Sequence, residues 1–339
     1  MKTKKIISLF LSFVMLVSVT VGVDLTSYAS YDNIFSAYNY SFGETYYGYT
    51  SESNPRDYLK FVVSYPGFIT IEFTGDFKDR RGTPFESIAR AAIGICDNNG
   101  NDILFTEAYY NSNRGYDYLS YSMNLIKGEY YFYTKSDYYY YVPSGNYSVT
   151  ITYKPNISTP STFKVSTRNT TSLKLAWNKI SGVSGYQLQR RSGDSWKTVA
   201  TTTSTSSTAK SLKSGTTYSF RVRAYKSING TKYYSGWRTL KTPTSPSKPA
   251  IKTPSTNKKH QITAKWKKVS ACSGYQVQYS TSSKFKKATT KTVSGASKTS
   301  CTGKFKKGKK YYIRVRSYKT VDGKKYYSAW SSVKSIKCK

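Results

Sequence analysis

Histidine occurs once, methionine three times and cysteine four times in the 339 residues. So little imidazole and sulfur leaves almost nothing from which to build a zinc, haem or imidazole-based catalytic site, so no cofactor is implied and most enzyme classes are disfavoured. Glutamate is absent from residue 156 onward, where Asp194 and Asp322 are the only acids. After residue 23 no apolar run reaches the roughly 20 residues that a membrane-spanning helix needs. The early run has another reading. Lys2, Lys4 and Lys5 precede apolar residues 6–23, and Ser27, Tyr28 and Ala29 place small residues where a signal peptidase cuts. Residues 1–29 are therefore expected to be a signal peptide, with a membrane anchor as the alternative. Cleavage would leave an exported chain with no membrane span.

What is plentiful is positive charge and tyrosine. Lys and Arg number 53 against 17 Asp and Glu, a net of +36, and Tyr alone contributes 35 residues. The charge is unevenly spread. Residues 31–155 hold 10 basic and 14 acidic residues, whereas 156–339 hold 40 basic and 2 acidic ones. A compositional break of this size marks a domain boundary, and Pro155 and Pro160 punctuate it.

The basic part is an internal repeat. LKLAW (173–177) corresponds to ITAKW (262–266), and SGYQLQ (184–189) to SGYQVQ (273–278). GTTYSFRVR (215–223) corresponds to GKKYYIRVR (308–316), and YYSGW (233–237) to YYSAW (326–330). Both copies consist of short alternating segments rich in Val, Thr, Tyr and Ile, separated by glycine turns, and no helical period appears. Asn229-Gly230 and Asp322-Gly323 each predict a tight hairpin whose two central residues take positive φ. About seven strands per copy predict an antiparallel sandwich.

On these residues the tandem resembles fibronectin type III modules. Trp177 and Trp266, with Tyr186 and Tyr275, look like that family's core pair. Leu212 and Phe305, six residues before Tyr218 and Tyr311, fit its Leu…Tyr corner. The lysine-rich form is similar to repeats on secreted and surface proteins of Gram-positive anaerobes, and the resemblance implies spacer and binding roles without naming a ligand. The N-terminal part alternates too, at 57–63, 67–73, 128–133 and 145–151, with a hairpin turning at Asn99-Gly100. That order resembles the bacterial pre-peptidase C-terminal family, which implies a non-catalytic sandwich that accompanies secreted hydrolases and is related to collagen- or polysaccharide-binding domains. The expected architecture is all-β, three consecutive antiparallel β-sandwiches spanning 31–154, 155–244 and 245–339.

Chemistry-bearing residues are few, and no catalytic set is expected. His260 follows Lys258 and Lys259 with no acid nearby in sequence, which reads as a solvated loop. Asp97 and Asp102 flank an Asn-rich turn. They are weak calcium candidates, as are Asp76 and Asp79, but ordinary hairpin chemistry explains the turn better, and no metal site is assigned. Cys272 and Cys301 lie where the sandwich topology brings them toward one pole, so a disulfide and two free thiols stand equally open. Cys96 is expected in the core, and Cys338 in an exposed tail able to pair between chains. Arg221, Arg223, Arg314 and Arg316 alternate outward beside Trp237 and Trp330, predicting stacked guanidinium–indole contacts like those of W-S-x-W-S modules, read as structural.

Two signals point to partners. Lys304, Lys306, Lys307, Lys309 and Lys310 crowd one turn of the second copy, after Lys284, Lys286, Lys287 and Lys291. Forty bases against two acids exceed what solubility requires, and self-repulsion disfavours the fold unless a polyanion neutralises it. In an exported protein that partner is an anionic cell-wall polymer or acidic polysaccharide, with host matrix or extracellular DNA satisfying the same electrostatics. Tyr138, Tyr139, Tyr140 and Tyr141 in succession cannot all face a core, so some are expected to be exposed to a glycan or protein. The reading is a secreted or cell-wall-associated, non-catalytic binding protein. A hydrolase with carboxylates in 31–155, or a purely structural envelope spacer, remain the alternatives.

Overall fold

The structure, a computed structural model, describes residues 34, 37–50, 56–78, 91–111, 116–135, 144–257 and 259–339. The expected signal peptide, Tyr138 to Tyr141, Asp79 and Lys258 lie outside the described residues. The chain divides into two compact units, Met1–Asn156 and Ile157–Lys339. Both are all-β, and among the described residues no helix is long and apolar enough to cross a membrane.

The first unit holds nine strands: Tyr38–Asn39 (β1), Thr45–Thr50 (β2), Arg56–Val63 (β3), Gly67–Lys78 (β4), Ala91–Asp97 (β5), Asp102–Asn111 (β6), Tyr116–Leu125 (β7), Gly128–Lys135 (β8) and Ser144–Pro155 (β9). They run in the order β1-β3-β8-β5-β6-β7-β4-β9-β2. β6 pairs with β5 over most of its length and with β7 only at its last three residues, so the sheet changes layer there. The period-two pattern then has a core to fill. Leu59, Phe61, Ile93, Ile95 and Phe132 come from one layer, and Ile69, Ile71, Phe73, Val149 and Ile151 from the other, all fully buried. Cys96 is buried as expected, but in a separate cluster with Tyr58, Tyr131 and Tyr133. Burial, with Asp102 and Asp97 nearby, pushes its thiol up to about 11, so it is inert at neutral pH.

A buried carboxylate ties the layers of this unit together. Tyr46 and Tyr147 donate to Asp57 Oδ2 at 3.0 and 2.6 Å. Desolvation raises the Asp57 pKa, and the two tyrosine hydrogen bonds oppose that shift without cancelling it. A raised folded-state pKa means the stabilising contribution is full below the unfolded value, near 3.8, and is lost as pH rises through the folded value. In urea unfolding, Asp57→Asn is therefore expected to remove a decline in stability that sets in as pH rises past about 3.8. Parallel wild-type and variant profiles would exclude Asp57 as its source.

In the second unit the first copy contains Phe163–Arg168 (β10), Leu173–Trp177 (β11), Gly185–Ser192 (β12), Ser195–Thr202 (β13), Ser206–Ala209 (β14), Thr217–Ile228 (β15), Thr231–Tyr234 (β16) and Arg238–Pro243 (β17). The second contains Ser255–Asn257 (β18), Gln261–Lys265 (β19), Gly274–Ser280 (β20), Thr289–Ser294 (β21), Ser300–Lys304 (β22), Lys310–Val321 (β23), Lys324–Tyr327 (β24) and Lys334–Lys337 (β25). Each copy packs a three-stranded sheet (β10-β11-β14; β18-β19-β22) against a larger one (β13-β12-β15-β16 with β17 on β15; β21-β20-β23-β24 with β25 on β23). Trp177, Tyr186, Trp266 and Tyr275 are buried, each Trp ring beside its Tyr at 5.6 and 5.1 Å. Tyr311 is buried, but Tyr218, expected to match it, is only half-buried. Its ring lies within reach of the Arg190 guanidinium, and its hydroxyl accepts the Lys213 N–H at 2.7 Å. Asn229, Gly230, Asp322 and Gly323 all have positive φ, as the hairpins require.

Seven strand positions become eight segments because the last strand is broken. Tyr234 pairs with Tyr225 and Arg238 with Val222, so three residues bulge opposite two. The serine of Tyr-Tyr-Ser repairs the ladder: Ser235 Oγ accepts the Ala224 N–H at 2.9 Å and donates to Gly236 O. In the second copy Ser328 Oγ accepts from Ser317 N at 3.0 Å and Ser331 Oγ from Val315 N at 3.1 Å. Ser328→Ala would leave a buried N–H without an acceptor and is expected to cost about 1–3 kcal/mol in urea unfolding. Exposed Ser332→Ala is the control, and an equal effect of the two would remove this role.

The copies touch through a small polar junction. The Arg168 guanidinium stacks on Tyr326 at 4.3 Å and donates to Thr242 Oγ1 and Pro243 O. Lys241 pairs with Asp322 at 3.3 Å, and Ser317 Oγ donates to Ser247 O at 2.6 Å. The hairpin end of β23–β24 thus faces the first copy, and the opposite pole of the second copy points away from it.

Candidate functional site

That opposite pole is where the lysines gather. Phe305 turns inward at the end of β22 and packs on Tyr279 and Tyr311, both at 4.7 Å, which anchors the β22–β23 turn. With Phe305 held and Gly308 at positive φ, Lys304, Lys306, Lys307, Lys309 and Lys310 are all exposed. Ser280 at the end of β20 pairs with Tyr312 on β23, so the β20–β21 loop leaves beside Lys310. In that loop Phe285 sits under Arg314 at 4.0 Å, and Ser280 Oγ donates to Lys286 O. Phe285 and Lys287 take left-handed backbone, leaving Lys284, Lys286 and Lys287 exposed.

Three further lysines, which linear runs do not reveal, join this pole. Lys337 on β25 pairs directly with Lys310. His260 O accepts the Phe305 N–H at 2.9 Å, which draws exposed Lys259 to the same turn. His260 Nδ1 lies 2.7 Å from Lys339 O, so exposed Lys339 lies here too. Among the described residues no carboxylate pairs with any of these lysines. Lys291 differs: its ammonium donates to Thr302 O at 3.1 Å, bridging β21 to β22. His260 itself is a half-exposed turn residue with positive φ.

The arginine contacts run further than the sequence suggested. Arg221 lies 4.4 Å from Trp196 and 4.0 Å from Trp237, and Arg223 lies 4.3 Å from Trp237 and 3.5 Å from Tyr234. In the second copy Arg314 lies between Phe285 and Trp330, and Arg316 between Trp330 and Tyr327. Gln189, Gln187, Gln278 and Gln276 each fix one guanidinium through Oε1. Desolvation lowers all four arginine pKa values. Trp237 and Trp330 lie in the bulge rather than in a regular strand, which is what brings each indole over two arginines.

The remaining candidates resolve as structural. Cys272 and Cys301 are free thiols rather than a bridged pair, and Cys272 Sγ donates to Val269 O at 3.3 Å. Cys338 is not in an exposed tail but buried in the core of the second copy, because Cys338 N and O both bond the backbone of the β22–β23 turn. Asp97 Oδ1 accepts the Asn99 and Asn101 N–H groups, which lowers its pKa and closes the turn, and Asp102 accepts from Tyr133 at 2.7 Å. No group of three or more His, Cys, Asp and Glu residues that could hold a metal occurs among the described residues.

With this geometry in place, the comparisons are specific for one segment. Residues 158–237 match the fibronectin type III domain family, so a fibronectin type III domain is present in the first copy. Many solved structures are similar, among them three that contain fibronectin-type segments. A two-domain fibronectin type III segment of chicken tenascin is 23% identical over 53% of this chain and 99% of its own, with a TM-score of 0.35. The three-domain FN1–FN3 segment of chicken CNTN1 is 17% identical over 78% and 98%, with a TM-score of 0.33. FN3tt is 25% identical over 25% and 90%, with a TM-score of 0.22. No curated protein matches the chain. Fibronectin type III domains generally act as binding or spacer modules, and the all-β fold agrees with that class.

Proposed function

We propose that this protein is a non-catalytic binding protein of the cell surface or extracellular space. Its basic tandem holds it on an anionic polymer, while the first unit, read as a pre-peptidase C-terminal-like sandwich, engages a target. The observation that carries this reading is the pole of the second copy. Eleven lysines from two hairpin turns, one loop and the last strand converge there, and neither acid of the tandem lies among them. Such a cluster lowers its own repulsion by binding a chain of closely spaced negative charges. Teichoic acid, acidic polysaccharide, host glycosaminoglycan and DNA all offer one, and ammonium groups without fixed geometry discriminate poorly among them. The signal peptide and export belong to the same proposal.

The test is retention of the full chain on heparin, teichoic acid and DNA supports, followed by elution with salt alone. Failure to be retained at low salt would leave the spacer reading, which the fixed junction at Arg168 and Tyr326 favours independently.

A further inference from the structure

The outer face of the layer β7-β4-β9-β2 is polar over its central rows and rimmed there by tyrosine. Tyr47 and Tyr49, alternate residues of the edge strand β2, both project from it and are 52% and 51% exposed. Neither hydroxyl has a hydrogen-bond partner among the described residues. Their cross-strand neighbours on β9 are Ser148 and Asn146, and behind these on β4 stand Thr74 and Asp76. One row further along, Thr45 and Thr150 share a hydrogen bond of 2.8 Å beside Glu72. On β7, Tyr118 and Ser120 reach Glu72 at 3.4 and 3.3 Å and form the far rim. Three inter-strand spacings separate the rims, about 14 Å, and the two exposed rings follow each other at about 7 Å along β2.

We infer that this face binds a neutral polysaccharide chain. Stacking on an exposed tyrosine needs a flat apolar face, and the bed of hydroxyl and amide groups needs a partner that both donates and accepts hydrogen bonds. A sugar ring presents its C–H face to the first and its hydroxyls to the second. Charge decides between glycan classes. The described rows from Tyr49 to Thr45 carry Glu72 and Asp76 but no lysine or arginine, so these rows lack the cations that a polyanion would pair with. This inference rests on the reading of the first unit as the target-binding part, but not on the polyanion site. The two ends of the chain then carry complementary tasks: salt-sensitive attachment by one and salt-insensitive glycan capture by the other.

The experiment is affinity electrophoresis of the full chain through hydroxyethylcellulose, soluble chitin oligomers and mannan. Retardation by at least one is expected, unchanged between about 50 and 500 mM salt because no ion pairs are involved. The double variant Tyr47→Ala, Tyr49→Ala is expected to weaken that binding by about tenfold or more, with heparin retention and circular dichroism unchanged. Asn146→Arg, exposed beside Tyr49, blocks the face without removing either ring and is expected to do the same. No retardation in any of the three, undiminished binding by Asn146→Arg, or capture of collagen in place of glycan overturns the inference. None of these results alters heparin retention, whose loss would instead overturn the polyanion reading alone.

Discussion

Replacing Lys304, Lys306, Lys307, Lys309 and Lys310 by Gln is expected to weaken binding to heparin, teichoic acid and DNA together, and to flatten its salt dependence. A protein that neutralises about six to ten phosphates loses roughly 10³–10⁵ in affinity between 50 and 200 mM salt, because each contact releases a condensed counterion. The exposed pole supplies that many ammonium groups, so the parent protein is placed in this range. Removing five contacts lowers the slope by about 4.5 and leaves a change on the order of 2–200-fold over the same interval. Stability should move the other way: Lys310 faces Lys337 across two strands, and neutralising one of the pair relieves repulsion. A folded variant with an unchanged salt slope would return these lysines to the role of solvated surface. The corresponding Lys→Arg variant keeps the charge and should keep the slope.

Half of this site was legible in the sequence. The runs 284–287 and 304–310 announce themselves by composition, but their meeting does not, because it follows from the pairing of β20 with β23. Lys259, Lys337 and Lys339 lie outside those two runs and become part of the pole only through backbone contacts at His260, Cys338 and Phe305. The same limit explains Cys338: near the end of the chain it reads as a tail, yet β25 carries it into the core. Period-two patterns placed Arg221 and Arg223 beside Trp237 because the two arginines alternate along β15 and Trp237 belongs to the segment that pairs with it. They could not place Trp196, which arrives from β13, or Phe285, which arrives from a loop. In the first unit alternation marked the strands but not their order, since β1 and β2 lie at opposite ends of it. The tyrosine run at 138–141 is conspicuous in the sequence, whereas Tyr47 and Tyr49 stand in a segment whose strand partners are a hundred residues away.

Trp266→Ala is expected to have the largest effect on stability. The indole is 2% exposed and lies against Tyr275, which is fully buried and whose hydroxyl accepts the Val269 N–H at 2.9 Å and donates to Ala296 O at 2.8 Å. Removing the ring opens a cavity at the centre of the second copy, and it loosens the residue that pins two of its loops. Truncation of a buried Trp costs about 3–5 kcal/mol. A domain of about 90 residues has little more than the lower part of the usual 5–15 kcal/mol to lose, so the second copy should unfold at or near physiological temperature. The first copy keeps its own core around Trp177 and loses only the polar junction at Arg168 and Lys241, whose exposed ion pair contributes about 1 kcal/mol or less. Calorimetry should therefore show one early transition for the second copy and a later one that is little moved. Because the lysine pole is built on the turns of the copy that unfolds, polyanion retention should fall with the early transition. Trp177→Ala should reverse the order, unfolding the first copy while retention persists. A single cooperative transition in both variants would mean that the junction couples the copies far more strongly than its polar contacts imply.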